Sequence, residues 1–194
     1  MSPSLWIAVA IKVALIGLLA FGAFSGLQQF EGKAFLWRLI TYPVGAFAVP
    51  VIWAIFARRS PFPYAADILL TLPFLVDTVG NSLDLYDTVE WWDDANHFVN
   101  WALLSGAIAA LCVRNRYGAR ETLGLVVGFG AVTAILWEIA EYFAFIRSSS
   151  ELATAYTDTL GDLGLGLAGS VFVGLIAVVL SGRGGRLPTT SSQQ

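Results

Sequence analysis

Six apolar runs, each close to the length of a bilayer crossing, divide this chain. They cover approximately residues 5–27, 34–56, 64–84, 95–113, 122–146 and 158–181. A hydrocarbon core of about 30 Å is crossed by about 20 helical residues. No water is available there, so each segment must satisfy its own backbone groups, and a single segment does so only as a helix. Composition agrees, with 57% hydrophobic and 13% charged residues, where a soluble domain carries roughly a quarter charged. The expected fold is all-α: a polytopic, six-transmembrane-helix bundle forming one domain over 1–182. The remainder, 183–194, reads as a polar disordered tail. No basic n-region precedes the first apolar run, so it is read as a retained span.

Charge orients the bundle. Arg58 and Arg59 follow the second run, Arg114, Arg116 and Arg120 the fourth, and Arg183 and Arg186 the sixth. Six crossings put these three regions on one side, which the positive-inside rule makes cytoplasmic, with both termini. Lys12, in the first run, is expected to snorkel toward that side. A net charge of −3 without a basic cluster excludes nucleic acid as a partner. A lone Cys112 excludes an internal disulfide framework and cysteine-based metal knuckles.

On this topology the acids are asymmetric. Of fourteen, Asp67 and Glu121 fall on the cytoplasmic side and twelve in the outer half. Asp77 lies roughly 20 Å up the third span, and Asp77, Asn81 and Asp84 follow i, i+4, i+7 spacing on one face. Asp93, His97 and Asn100 repeat that spacing at the start of the fourth span. Glu138 and Glu141, at i, i+3, lie roughly 22–27 Å up the fifth. Asp158 and Asp162 open the sixth, on a stripe continuing through Gly166, Gly169 and Ser170. Four helices thus bring polar groups to one depth, where a lipid-facing charge costs several kcal/mol and must find partners. Gly166, Gly169 and Ser170, with GLVVG at 124–128, are expected to let helices five and six approach closely. Arg38, at similar depth, is expected to neutralise part of the cluster.

Carboxylates and one imidazole are hard or borderline donors, suited to Mg²⁺, Mn²⁺, Ca²⁺, Fe or Zn²⁺. Acids crowded into low dielectric repel unless protons or a cation hold them together. His97, Glu138, Glu141, Asp158 and Asp162 are the expected ligands of a divalent metal. Asp93 is placed to orient the imidazole, and Asp77, Asn81, Asp94, Asn100 and Arg38 to support the site. Plainer roles compete. Asp93, Asp94 and Asp158 suit helix N-termini, Asp87 and Glu90 read as solvated loop acids, and Trp91, Trp92 and Trp101 as an interfacial belt. One histidine is too few for a multi-histidine iron site, and no GxSxG, Walker loop or paired-cysteine motif occurs. NSLDLYD has the Asn-x-x-Asp spacing of membrane prenyltransferases but lacks their second aspartate-rich motif.

A span ending in D-x-x-x-N, then WWDDANHF, E-x-x-E and D-T-x-x-D, resembles the YjdF-like family of small bacterial inner-membrane proteins. The likeness covers about residues 64–170, through Asp77, Asn81, Asp94, His97, Glu138, Glu141, Asp158 and Asp162. It implies a multi-pass protein of the bacterial cytoplasmic membrane with a polar site, and implies no reaction. The leading reading is a cation site near the outer leaflet, in a divalent-metal-dependent hydrolase or transferase acting on a lipid or lipid-linked substrate. The alternatives are a proton- or cation-coupled transporter and a non-catalytic membrane subunit. Membrane lipids are the one partner class implied.

Overall fold

The computed structural model describes residues 2–144 and 146–184, and among these every regular element is helical. The helices are α1 (Pro3–Phe24), α2 (Phe35–Ala46), α3 (Ala48–Ile52, continued by a π-helical turn Trp53–Ala57), α4 (Tyr64–Ser82), α5 (Leu85–Thr88), α6 (Trp92–Arg114), α7 (Ala119–Ala144) and α8 (Ala155–Gly184). Most of the expected polar tail, including Arg186, lies outside the described residues.

Four helices, α1, α6, α7 and α8, are long and apolar enough to cross a membrane, and a fifth crossing is available if α2 and α3 form one broken span. Those two halves meet at 43°. The break has a local cause: Pro43 and Pro50 each lack the N–H that would continue the helical ladder. The carbonyl that Pro50 cannot reach, that of Ala46, lies 3.4 Å from the Thr71 hydroxyl of α4. A neighbouring hydroxyl is a common way for broken membrane helices to recover such a group.

The remaining long helix, α4, has 19 residues, about 28 Å of rise, yet falls short in apolarity. The shortfall comes from Asp67, Thr71, Asp77, Thr78 and Asn81, all buried. α4 packs between α1 and α6, so its polar side faces protein. Lys12 does not snorkel. Its ammonium is buried and donates to both Asp67 carboxylate oxygens at 2.8 Å and to Thr71 Oγ1 at 3.1 Å, linking α1 to α4. A lysine with a carboxylate within reach has no reason to stretch to the interface. Asp84, expected to extend the Asp77–Asn81 stripe, lies beyond the helix end with a left-handed backbone (φ 59°).

α6 and α8 form the tightest pair. A Cβ added at Gly169 would stand 2.3 Å from the Phe98 carbonyl oxygen, so the α6 backbone lies directly against it. Just below, Ser105 Oγ donates to Ser170 Oγ at 2.8 Å, and Gly130 of α7 leaves room for both hydroxyls. Close approach on α7 therefore occurs at Gly130; Gly124 and Gly128 of the GLVVG stretch have nothing within 4 Å of a built Cβ. Gly169→Ala should consequently cost about 1–3 kcal/mol by overpacking against backbone that cannot yield. Gly128→Ala should be neutral or slightly stabilising through helix propensity. Thermal unfolding in detergent separates the two; equal melting temperatures would contradict the α6–α8 approach.

Candidate metal centre

The first turns of α6 carry Asp93 and His97 at i, i+4 on one face. The imidazole is buried and lies parallel to the Trp101 ring, centroids 5.3 Å apart and planes 5° from parallel. Trp101 lies against Gly166 of α8, where any side chain would crowd it. This tryptophan belongs to the core, not to an interfacial belt, because α8 covers it. Trp91 is exposed, as a belt residue would be, while Trp92 is half-buried and packs on Gly80 of α4.

Both imidazole nitrogens face carboxylates. Nε2 is 3.7 Å from Asp93 Oδ1 and 3.7 Å from Asp162 Oδ1 of α8, and Nδ1 is 3.8 Å from Glu138 Oε1 of α7. Two ligand groups result, Asp93–His97–Asp162 and His97–Glu138–Glu141, each with one donor atom per residue within 4.8 Å of the others. His97, Glu138 and Asp162 are buried, Asp93 and Glu141 partly so. These nitrogen–oxygen distances exceed hydrogen-bond reach. Two ligands held about 2.1 Å from one ion lie about 3.0–4.2 Å apart as their angle opens from 90° to 180°. The donor set and its spacing therefore fit a hard or borderline divalent cation at either nitrogen of the ring.

Asp77 belongs to a different arrangement. Its carboxylate accepts hydrogen bonds from Arg38 and from the Tyr42 hydroxyl at 2.7 Å, both on α2, and from the Tyr86 hydroxyl of α5 at 2.8 Å. Asn81 Nδ2 donates to the Asp77 carbonyl at 2.9 Å, and Asn96 of α6 donates to Tyr86. Arg38 also donates from Nε to the Lys33 carbonyl at 2.9 Å. Arg38 and Asp77 thus form a buried ion pair that joins α2, α4 and α5. Asp77, Asn81 and Arg38, expected to support the site, form a separate anchor of their own. Tyr42, Tyr86 and Asn96 were missed from sequence. Tyr42 was accessible at i+4 from Arg38, whereas Tyr86 and Asn96 are brought in by the turn at Asp84.

The other expected residues separate. Asp158 sits exposed in the first turn of α8, outside both ligand groups, and Asp94 is exposed in the first turn of α6. Both positions suit negative charge at a helix N-terminus. Asp93, expected to orient His97 from behind, stands among the candidate ligands. Asn100 is buried and is among the residues lining a cavity. Asp87 is exposed yet paired: the hydrogen bond donated by Lys33 holds its carboxyl below the usual range.

That cavity, about 530 Å³, lies beneath Trp101 between α2–α3 and α7, with α4 and α6 behind it. Tyr42, Asp77, Asn100 and Trp101 are among the residues that line it, with Leu104, Ile108, Phe129 and Leu136, and the surface they present to it is almost wholly apolar. A smaller cavity of about 230 Å³, between Arg38 and Glu141, shares Tyr42, Trp137 and Ala140 with it.

Helices of this length and apolarity around a buried histidine–carboxylate cluster define a multi-pass membrane protein. The chain belongs to the family described as predicted membrane protein, DUF2238, whose family model matches residues 10–183. The YjdF-like resemblance agrees with that membership, and the match extends it through the first two spans. Neither curated proteins nor solved structures contain a match to the chain.

The Asp77 anchor makes a direct prediction. Asp77→Asn removes the carboxylate that pairs with the buried Arg38 guanidinium and accepts from Tyr42 and Tyr86, which should cost about 3–5 kcal/mol of stability. Asp158→Asn, at an exposed helix end, should stay within about 0.5 kcal/mol of wild type. Equal thermal stabilities of the two variants in detergent would contradict the anchoring role.

Proposed function

We propose that this protein is a six-span metalloprotein of the bacterial cytoplasmic membrane, a single membrane unit with both termini cytoplasmic. In this reading His97 holds a divalent cation near the outer leaflet, together with Asp93 and Asp162 or together with Glu138 and Glu141, and the centre acts on a lipid or lipid-linked substrate. The sixth crossing is α4, whose low apolarity follows from a polar face turned toward α1 and α6.

One observation carries the reading: a buried imidazole with carboxylates of α6, α7 and α8 3.7–3.8 Å from its nitrogens. Bringing such groups together from three helices costs desolvation and mutual repulsion, and a cation offsets both. A bound divalent ion would supply Lewis acidity toward a phosphoryl or carbonyl oxygen, or a more acidic water. The chain's own contribution is placement. Trp101 fixes the plane of the imidazole, and Gly166 and Gly169 let α8 bring Asp162 within reach. Asp77, already holding three charged or hydroxyl donors, leaves the cluster's geometry to the other acids. A transport path is disfavoured by the apolar walls beneath Trp101, where Leu104, Ile108 and Leu136 offer an ion no ligand.

Elemental analysis of protein purified in detergent without chelator should find at least one divalent metal per chain. Either Glu138→Gln or Asp162→Asn, according to which of the two groups holds the ion, should weaken its retention by about tenfold or more. Wild-type protein that keeps its fold but carries no stoichiometric divalent metal would overturn the proposal.

A further inference from the structure

Two basic stretches far apart in the sequence meet at one end of the bundle. RRSPFP (58–63) joins α3 to α4, and RNRYGAR (114–120) joins α6 to α7. The Arg114 guanidinium donates to the Pro61 carbonyl, so the two loops are in contact. Pro61 lies two residues after Arg59, and Arg114 two before Arg116. With Arg58 and Arg120, five of the eleven basic residues gather here, all of them exposed. Neither stretch is a basic cluster by itself; the packing of α4 on α6 makes one.

This charge is not met within the chain. Among the described residues, none of the five guanidiniums pairs with a carboxylate. Glu121, the one acid adjoining either stretch, accepts from the Gly118 N–H at 3.0 Å, and Asp67 is held by Lys12. Elsewhere cations are paired: Lys33 with Asp87 and Arg38 with Asp77. The loops that carry the arginines are ordered. Trp53 Nε1 donates to the Ser60 carbonyl at 3.0 Å, and the Phe62 ring lies between those of Trp53 and Tyr64, with centroids 5.3 and 4.7 Å away. On the other loop the N–H groups of Arg116 and Tyr117 return to the Val113 and Cys112 carbonyls. Arg116 takes a left-handed backbone (φ 58°), a position that glycine or asparagine would hold at less cost. Arginines presented from ordered loops lose less freedom when they bind an anion.

The surroundings decide which anion. Both stretches sit where long apolar helices end, at Arg114 and Ala119 on one side and at Ala57 and Tyr64 on the other. Next to them Ile52, Ile55, Phe56 and Val113 are exposed, and in a membrane these side chains lie against acyl chains. A ligand suited to this place carries a phosphate and acyl chains side by side. Guanidinium is matched to phosphate in charge and in bidentate geometry, and clusters of roughly four to eight basic residues beside a membrane helix gather anionic headgroups.

We propose that the joined loops 58–63 and 114–120 bind the headgroup of an anionic phospholipid between Arg58–Arg59 and Arg116–Arg120, with its acyl chains along Ile55 and Phe56. This surface lies apart from the candidate metal centre and does not depend on it.

The test reconstitutes the full-length protein in phosphatidylcholine vesicles, with chelator present so that metal binding does not enter. Association of a phosphatidylglycerol carrying an acyl-chain spin label is compared with that of its phosphatidylcholine counterpart, from the immobilised fraction of each spectrum. The wild type should prefer phosphatidylglycerol by about threefold or more at low salt, and the preference should fall as salt screens the guanidiniums. Because the headgroup is held from both loops, Arg58→Gln with Arg59→Gln, and Arg116→Gln with Arg120→Gln, should each remove most of it. These positions are exposed, so both variants should keep the wild-type melting temperature. Lys33→Gln, outside the patch, should leave the preference unchanged. Equal association of the two lipids with wild type, or a preference that either double variant leaves intact, would overturn the proposal. Displacement of the labelled lipid by soluble glycerol phosphate would assign the patch to a free phosphate compound and overturn it equally.

Discussion

A carboxylate carried into an apolar interior has to be met by a donor or a cation, and the way each buried acid is met organises this protein. Asp67 is met by Lys12, which ties α1 to α4. Asp77 is met by Arg38 and two tyrosine hydroxyls, which tie α2 and α5 to the other end of the same helix. Glu138 and Asp162, on α7 and α8, face the imidazole of His97. The first two arrangements neutralise charge within the chain. The third concentrates carboxylate around a group that is neutral unless protonated, which is why it reads as a site and the others as anchors.

The same constraint accounts for the place of α4. A helix with two buried aspartates, two threonines and an asparagine is too polar to sit against lipid, and it packs between α1 and α6 instead. Its neighbours then arrange by the space they leave. Gly169 lets α8 lie on the α6 backbone, and Gly130 accommodates the Ser105–Ser170 pair. α2, broken by its prolines, stays at the edge, and the gap between it and α7 becomes the cleft. The candidate centre and the cleft therefore share one tryptophan, with Trp101 stacked on His97 and also lining the cavity.

Several features were legible because they depend on local spacing. Helical periodicity placed His97 with Asp93, and Glu138 with Glu141, since residues three or four apart share a face whatever surrounds the helix. Arg38 was matched to the acids by depth alone. Other features depend on where a helix stops or turns. Asp84 left the stripe because the backbone becomes left-handed there, and Asp158 stayed outside because α8 begins only three residues before it, leaving it exposed. Lys12 and Trp101 were assigned to the interface by residue type, and both are claimed by partners on other helices, Asp67 and His97's neighbours on α8.

By itself the sequence determined that the chain is a helical membrane protein and which polar residues share a helix face, because apolar length and helical period are properties of single segments. The tertiary structure alone decided how those residues divide. It assigned Asp77 to Arg38, left the acids of α7 and α8 to His97, and opened a cleft between α2–α3 and α7. The reason is that pairing of charges and the shape of a gap are set by the order and closeness with which helices pack. That order is governed by side-chain volumes at a few contacts, such as Gly130, Gly166 and Gly169, which no single helix's pattern reveals.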